Sequence, residues 1–110
     1  MKGLLVFLSI CLTATGILAQ KPVPQKPRIL ISTDIGGTDP DDNQSMAHLL
    51  MYADRFRLEG LVSSPSYGKG SIVEIMRMID LYEKDLPKLK KHIKGYPSPE
   101  FLRSITGPQI

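Results

Sequence analysis

Four aspartates crowd into nine residues of this chain: Asp34, Asp39, Asp41 and Asp42, in the stretch DIGGTDPDD. Carboxylates held that close repel one another unless something positive sits among them, and a hard divalent cation is the obvious partner. Calcium takes about six to eight oxygen ligands, accepts bidentate carboxylates and backbone carbonyls, and tolerates irregular geometry. Gly36 and Gly37 would let the backbone turn tightly enough for carbonyls to join in. The bland alternative is a solvated turn with a helix cap, because Asp, Gly and Pro are what turns and caps prefer. The whole pattern, set directly after a buried strand and before a helix, favours the metal.

Other chemistries for this loop fail on spacing. An EF-hand counted from Asp39 would need glutamate at its twelfth position, where the chain has Leu50. A phosphate-cradling loop needs GxxxxGK[ST], and Gly68-Lys69-Gly70-Ser71 lacks the spacing and the first glycine. Asp34-Ile35-Gly36-Gly37-Thr38 is similar to the DxDGT of haloacid-dehalogenase-type phosphatases, but glycine stands where that family keeps its general acid. That phosphatase is the less favoured enzyme reading.

The elements that position the loop follow from periodicity. Arg28–Thr33 (RILIST) is a short β-branched run between a proline and the glycine-rich turn, which fits a buried strand. From Asn43 the period changes: Met46, Leu49, Leu50 and Ala53 mark one face of an amphipathic helix, with Asp41 or Asp42 as its natural N-cap. Arg57–Ser63 reads as a second strand and Ser64–Gly70 as a loop. Ile72, Ile75, Met76 and Ile79 open a second helix that runs toward Asp85 and meets Pro87. Strand, helix, strand, helix is a βαβα unit of an α/β fold, with the strands parallel and ligands at their carboxyl ends. Pro87–Ile110 carries four prolines and reads as irregular, with a helical piece at Pro87–Ile93.

Residues 1–19 read as a signal peptide: a basic start, an apolar run over Gly3–Leu12, and small residues closing at Ala19. The apolar run falls short of the about 20 residues a membrane span needs, so no stable anchor is expected. A lipoprotein signal around Cys11 is the alternative. Cleavage would remove the only cysteine and expose a proline-rich linker, residues 20–27. From Lys21 onward 13 basic side chains face 11 acidic ones, too mild a balance to argue for nucleic acid or membrane partners. The expected location is secreted or periplasmic.

The stretch ILISTDIGGTDPDDNQSMAHLL resembles the N-terminal signature of the nucleoside hydrolase superfamily, a strand leading into DxDPGxDDA at the start of a helix. More closely, TDIG, DPDD and the later KHIKGYPSPEFLRSI resemble the nucleoside hydrolase-like domain of secreted proteins described as cellulose-binding. The resemblance covers about Arg28–Gly107 and implies a Rossmann-like, mostly parallel sheet. It implies that Asp34 binds calcium and acts as base toward the attacking water, that Asp42 is a bidentate calcium ligand, and that Asp41 contacts a ribose hydroxyl. Ser63, Ser64 and Ser66 sit where that family places a substrate-contacting residue, and Ser64 is the one singled out. Two departures stand out: the loop is longer, leaving Asp39 without a counterpart, and Ser32 replaces the first aspartate of the signature.

The implied chemistry is metal-assisted hydrolysis of a glycosidic bond in a small sugar or nucleoside-like substrate. Calcium would lower the pKa of a bound water, and nearby carboxylates would stabilise an oxocarbenium-like transition state. Such a site needs further ligands and a leaving-group acid, so residues 28–110 are expected to form the N-terminal part of the domain, inactive alone. The competing reading is a non-catalytic calcium- or carbohydrate-binding protein. His48 is expected on a solvent-facing helix surface and His92 in a solvated basic run, while Tyr67 and Tyr96 could stack on a sugar.

Overall fold

In the computed structural model the described residues are 20–65 and 71–108, and they form an α/β unit. Strand β1 (Arg28–Thr33) leads to helix α1 (Asp41–Met51) and a short 3-10 turn (Ala53–Arg55). Strand β2 (Arg57–Ser63), helix α2 (Ile72–His92), helix α3 (Pro99–Ser104) and strand β3 (Thr106–Pro108) follow. The strands pair in the order β1-β2-β3, all parallel. Both strand assignments from the sequence match in their bounds.

The β1–β2 register carries one irregularity. Ile29 lies opposite Leu58 and Leu30 opposite Gly60, so Glu59 is an extra residue on β2. A bulge of this kind breaks the strict alternation of faces. Leu58 and Leu61 can therefore both be buried despite their odd separation. The bulged Glu59 turns outward and pairs with Arg28 at 2.8 Å and Arg57 at 3.2 Å.

One face of the sheet holds the core. Ile35, Leu61, Ile75, Ile79 and Leu102 are fully buried there, with Met46 and Leu50 from α1 and Tyr82 and Leu86 from α2 around them. On the other face Arg28, Leu30 and Ser32 are exposed, and Leu30 keeps 63% of its surface.

Three expectations are corrected. The N-cap of α1 is Pro40, not Asp41 or Asp42; both aspartates lie in the first helical turn, and Pro40 makes no side-chain cap bond. The Pro40 carbonyl accepts from the Asn43 and Gln44 amides at 3.1 and 3.3 Å, leaving the carboxylates available for other partners. Helix α2 runs unbroken past Asp85 and through Pro87 to His92. Proline there removes the bond to the Glu83 carbonyl, but both residues are exposed, so water can satisfy that oxygen. The buried stripe continues through Leu86 to the half-buried Leu89, which holds the helix on the core.

The third correction concerns Pro87–Ile110, which is largely ordered in its described part. Ser98 caps α3 by accepting from the Phe101 amide at 3.1 Å, Pro99 fills its first turn, and Leu102 anchors it in the core. Arg103 ties α3 to α2 through Asp80, at 2.9 Å, and Glu83, which together hold its guanidinium pKa above the usual value. Strand β3 then extends the expected two strands to three. Tyr96 is half-buried. Its hydroxyl donates to the Met51 carbonyl at 2.7 Å and its ring tilts against Tyr82. Tyr67 and the signal segment lie outside the described residues. His48 and His92 are exposed, as expected.

Candidate functional site

The carboxyl end of β1 and the first turn of α1 meet at one point. The Thr33 hydroxyl donates to Asp42 Oδ2 while its oxygen accepts from the Ile35 amide at 3.1 Å. This one side chain fixes both the turn after β1 and the start of α1. Asp34 follows directly along the strand, close enough for the Asp42 carboxyl to be the main influence on its pKa. Two aspartates eight positions apart in sequence therefore form a carboxylate pair.

Their titration separates as expected of such a pair. The neighbouring Asp42 carboxyl raises the pKa of Asp34 above the ordinary carboxylate value. Asp42 is lowered, first by the Thr33 hydroxyl and then by Asp34. Asp34 is exposed and Asp42 half-buried, so the pair faces solvent at the strand end.

The neighbouring residues divide sharply. Asp41 is exposed and its carboxylate accepts from the Asp42 amide at 2.9 Å. Asp39 accepts from the Asp41 amide at 3.4 Å and stays at the rim. The Ser64 amide donates to the Thr33 carbonyl at 2.7 Å, which places Ser64 beside the end of β1. Ser63 is buried, lies in register with Thr33, and its hydroxyl has no partner among the described residues. Ser66 lies outside them.

The loop is seated against the start of α2. Gly36 has φ +98°, and a Cβ there would stand 2.6 Å from the Ser71 Cβ. Only glycine fits that approach, so an aspartate of the phosphatase type has no room at this position. Asn43 Nδ2 donates to Glu74 Oε2 at 3.1 Å, and Arg77 grips the same carboxylate at 2.9 Å. This bridge joins the first turns of α1 and α2 on the loop's flank.

Carboxylate oxygens are hard donors of the kind calcium takes, and Asp34 and Asp42 supply two such groups at the end of β1. The set is a partial one: among the described residues no group of three or more His, Cys, Asp or Glu side chains converges to hold a metal. A cavity of about 220 Å³ touches Asp42 but not Asp34, and Thr33 and Ser45 line it together with the apolar Ile31, Met46 and Leu49. Two larger hollows, of about 470 and 420 Å³, lie away from it, beside the amino ends of the strands and between α1 and α2. Sequence reasoning missed Thr33 and the Asn43–Glu74 bridge. Only Thr33 left a signal, a hydroxyl residue immediately before Asp34.

Residues 28–108 match the family described as "Cellulose-binding Sde182, nucleoside hydrolase-like domain". The chain belongs to this family. A solved structure is similar to it: a nucleoside hydrolase-related hypothetical protein from Saccharophagus degradans, associated with carbohydrate metabolism. The two are 31% identical with a TM-score of 0.69, over 77% of this chain and 21% of that one. This nucleoside hydrolase-like chain thus spans about one fifth of its solved relative. No curated protein matches it.

Proposed function

We propose that the Asp34–Asp42 pair is the calcium-binding corner of a hydrolase-type site for a small sugar or nucleoside-like ligand. The observation that carries this reading is the acidic end of β1 in a nucleoside hydrolase-like domain, where the Thr33 hydroxyl anchors Asp42 beside Asp34. A cation there would relieve the repulsion that raises Asp34. Calcium, when bound, supplies charge stabilisation and acidifies water. Asp42 would hold the ion from its Thr33 anchor. Asp34, the more basic of the two, would hold it and accept a proton from water. Asp41, exposed at the rim, would reach a sugar hydroxyl, and Ser64 would line the opposite side. The family's cellulose-binding description supports an extracellular protein, in keeping with the signal peptide read at residues 1–19.

Hydrolysis needs a leaving-group acid and more ligands than these residues bring together. The described residues are therefore assigned calcium-dependent sugar binding. Turnover belongs to a chain that supplies the remaining groups. The family description favours cellulose as the alternative ligand, held without chemistry. Nucleosides, aryl glycosides and cellulose, each offered with calcium or with a chelator, separate these outcomes. Calcium-dependent retention of a nucleoside or small sugar with no product release is expected. Retention on cellulose that ignores both the chelator and Asp34→Asn would overturn the site assignment.

A further inference from the structure

We propose that the cavity at the amino ends of β1 and β2 binds an acidic sugar, a sugar ring carrying a carboxylate or a phosphate, on Lys26, Arg28 and Arg57. This inference is independent of the calcium reading, whose residues lie beyond the opposite ends of the same strands.

Three segments enclose the cavity of about 470 Å³. They are the stretch before β1, the 3-10 turn with the start of β2, and the stretch from Gly95 into α3. The Arg57 amide donates to the Pro27 carbonyl at 2.8 Å, and Lys26 Nζ donates to the Gly95 carbonyl at 3.5 Å. These two bonds hold the first segment against the other two. Small-molecule sites run from about 300 to 1,000 Å³, so the space admits a small ligand and keeps out a folded partner.

The lining selects an anion. Glu59 Oε1 accepts from Arg28 Nε at 2.8 Å and lies 3.2 Å from Arg57 Nε. One carboxylate thus orients both guanidiniums, and among the described residues their terminal amino groups have no protein acceptor. Lys26 meets only a neutral carbonyl there. Three cations therefore stand against one carboxylate, and no acidic side chain lines the cavity among the described residues. Arginine forks match carboxylates and phosphates by shape as well as charge. The rest of the lining suits a ring. Phe101 keeps 43% of its surface exposed and Phe56 is half-buried, over a floor of the buried Ala53 and Leu58. A phenyl ring packs on the apolar face of a sugar, and the exposed Gln25 and Gly95 at the rim leave its hydroxyls in contact with water.

The test titrates the 110-residue chain with glucuronate, glucose 6-phosphate, glucose and inorganic phosphate, following backbone amides by NMR. Glucuronate, glucose 6-phosphate or both should shift the amides of Arg57, Gly95 and Phe101, and whichever does so fixes the oxyanion. Glucose should shift none of them, and inorganic phosphate should bind more weakly than a sugar acid. Arg57→Gln and Arg28→Gln, both at exposed positions, should each weaken binding on the order of tenfold with the circular dichroism unchanged. Phe101→Ala should weaken it severalfold. Lys84→Gln makes the same charge change on the exposed side of α2 and should leave binding as it is, as should Asp42→Asn at the calcium pair. Binding of neither acidic sugar, equal binding of glucose and glucuronate, or inorganic phosphate held as tightly as the sugar acids would overturn the proposal. So would a Lys84→Gln loss equal to that of Arg57→Gln.

Discussion

Gly36→Ala should be among the most damaging single-methyl changes in the chain, and its cost can be worked from the geometry. The residue sits at φ +98°, where an L side chain costs about 1–3 kcal/mol. The new Cβ would stand 2.6 Å from the Ser71 Cβ, well inside the roughly 3.5–4 Å at which carbon atoms rest. Ser71 cannot retreat freely, because its hydroxyl caps α2 through the Glu74 amide, and losing such a cap costs about 1 kcal/mol. Together these give about 3 kcal/mol, or a fall in Tm on the order of 10–20 °C for a domain this small. Urea unfolding followed by circular dichroism measures it, with Gly37→Ala as the control. Position 37 has no such φ and would bring its Cβ only within 3.8 Å of the Asp34 carbonyl, so the control should stay within about 1 kcal/mol of the parent. Equal losses at the two glycines, or a Gly36→Ala variant as stable as the parent, would refute the placement of this loop against α2.

Other substitutions probe the carboxylates and the packing behind them. In metal-free buffer the raised Asp34 contributes stability that is full below its ordinary pKa and lost as pH rises through its folded value; the lowered Asp42 contributes above the ordinary value and loses it as pH falls through its folded one. Asp42→Asn should therefore bring the Asp34 titration, followed by NMR, back down toward the ordinary carboxylate range; an unmoved Asp34 would break the pair. Tyr82→Phe removes the hydroxyl that donates to the Pro97 carbonyl at 2.7 Å and should cost about 1 kcal/mol in urea unfolding. The parent Tyr82, pushed up to about 12 by burial, should also ionise late in an ultraviolet titration. Leu102→Ala, at a fully buried position, should cost about 2–5 kcal/mol and loosen β3 along with α3.

The elements around the loop were legible because their signals are local and agree with one another. Arg28–Thr33 and Arg57–Ser63 are β-branched or apolar runs between breakers, and Met46, Leu50 and Ala53 keep a clean helical period. The second half was not, because tertiary packing overrides local propensity there. Pro87 looks like a stop, yet Leu86 and Leu89 keep α2 on the core across it. Strand β3 is three residues of Thr, Gly and Pro, a strand only because β2 has an open side. The Ser98-Pro99 start of α3 is a local capping signal, masked in the sequence by the prolines around it.

The site divides the same way. Crowded aspartates announce a charged loop, and the resemblance names Asp34 and Asp42 as partners. The contact of the Thr33 hydroxyl with Asp42 is a product of where α1 begins over β1, and the buried Ser63 hydroxyl is a product of register. Neither relation is visible in a linear pattern. The bulge at Glu59 is equally hidden, although it decides which side chains of β2 face the core.

Calcium binding at the Asp34–Asp42 pair is the claim on which the functional reading stands, and titrating the 110-residue chain with calcium tests it most directly. Calorimetry and thermal unfolding, run side by side on the parent and on Asp42→Asn, give the answer. At calcium about ten times its Kd, stabilisation of about 1.4 kcal/mol and a rise in Tm of several degrees are expected for the parent, with none for the variant. A parent chain that neither binds calcium nor gains stability from it, or a variant that responds as the parent does, would contradict the assignment.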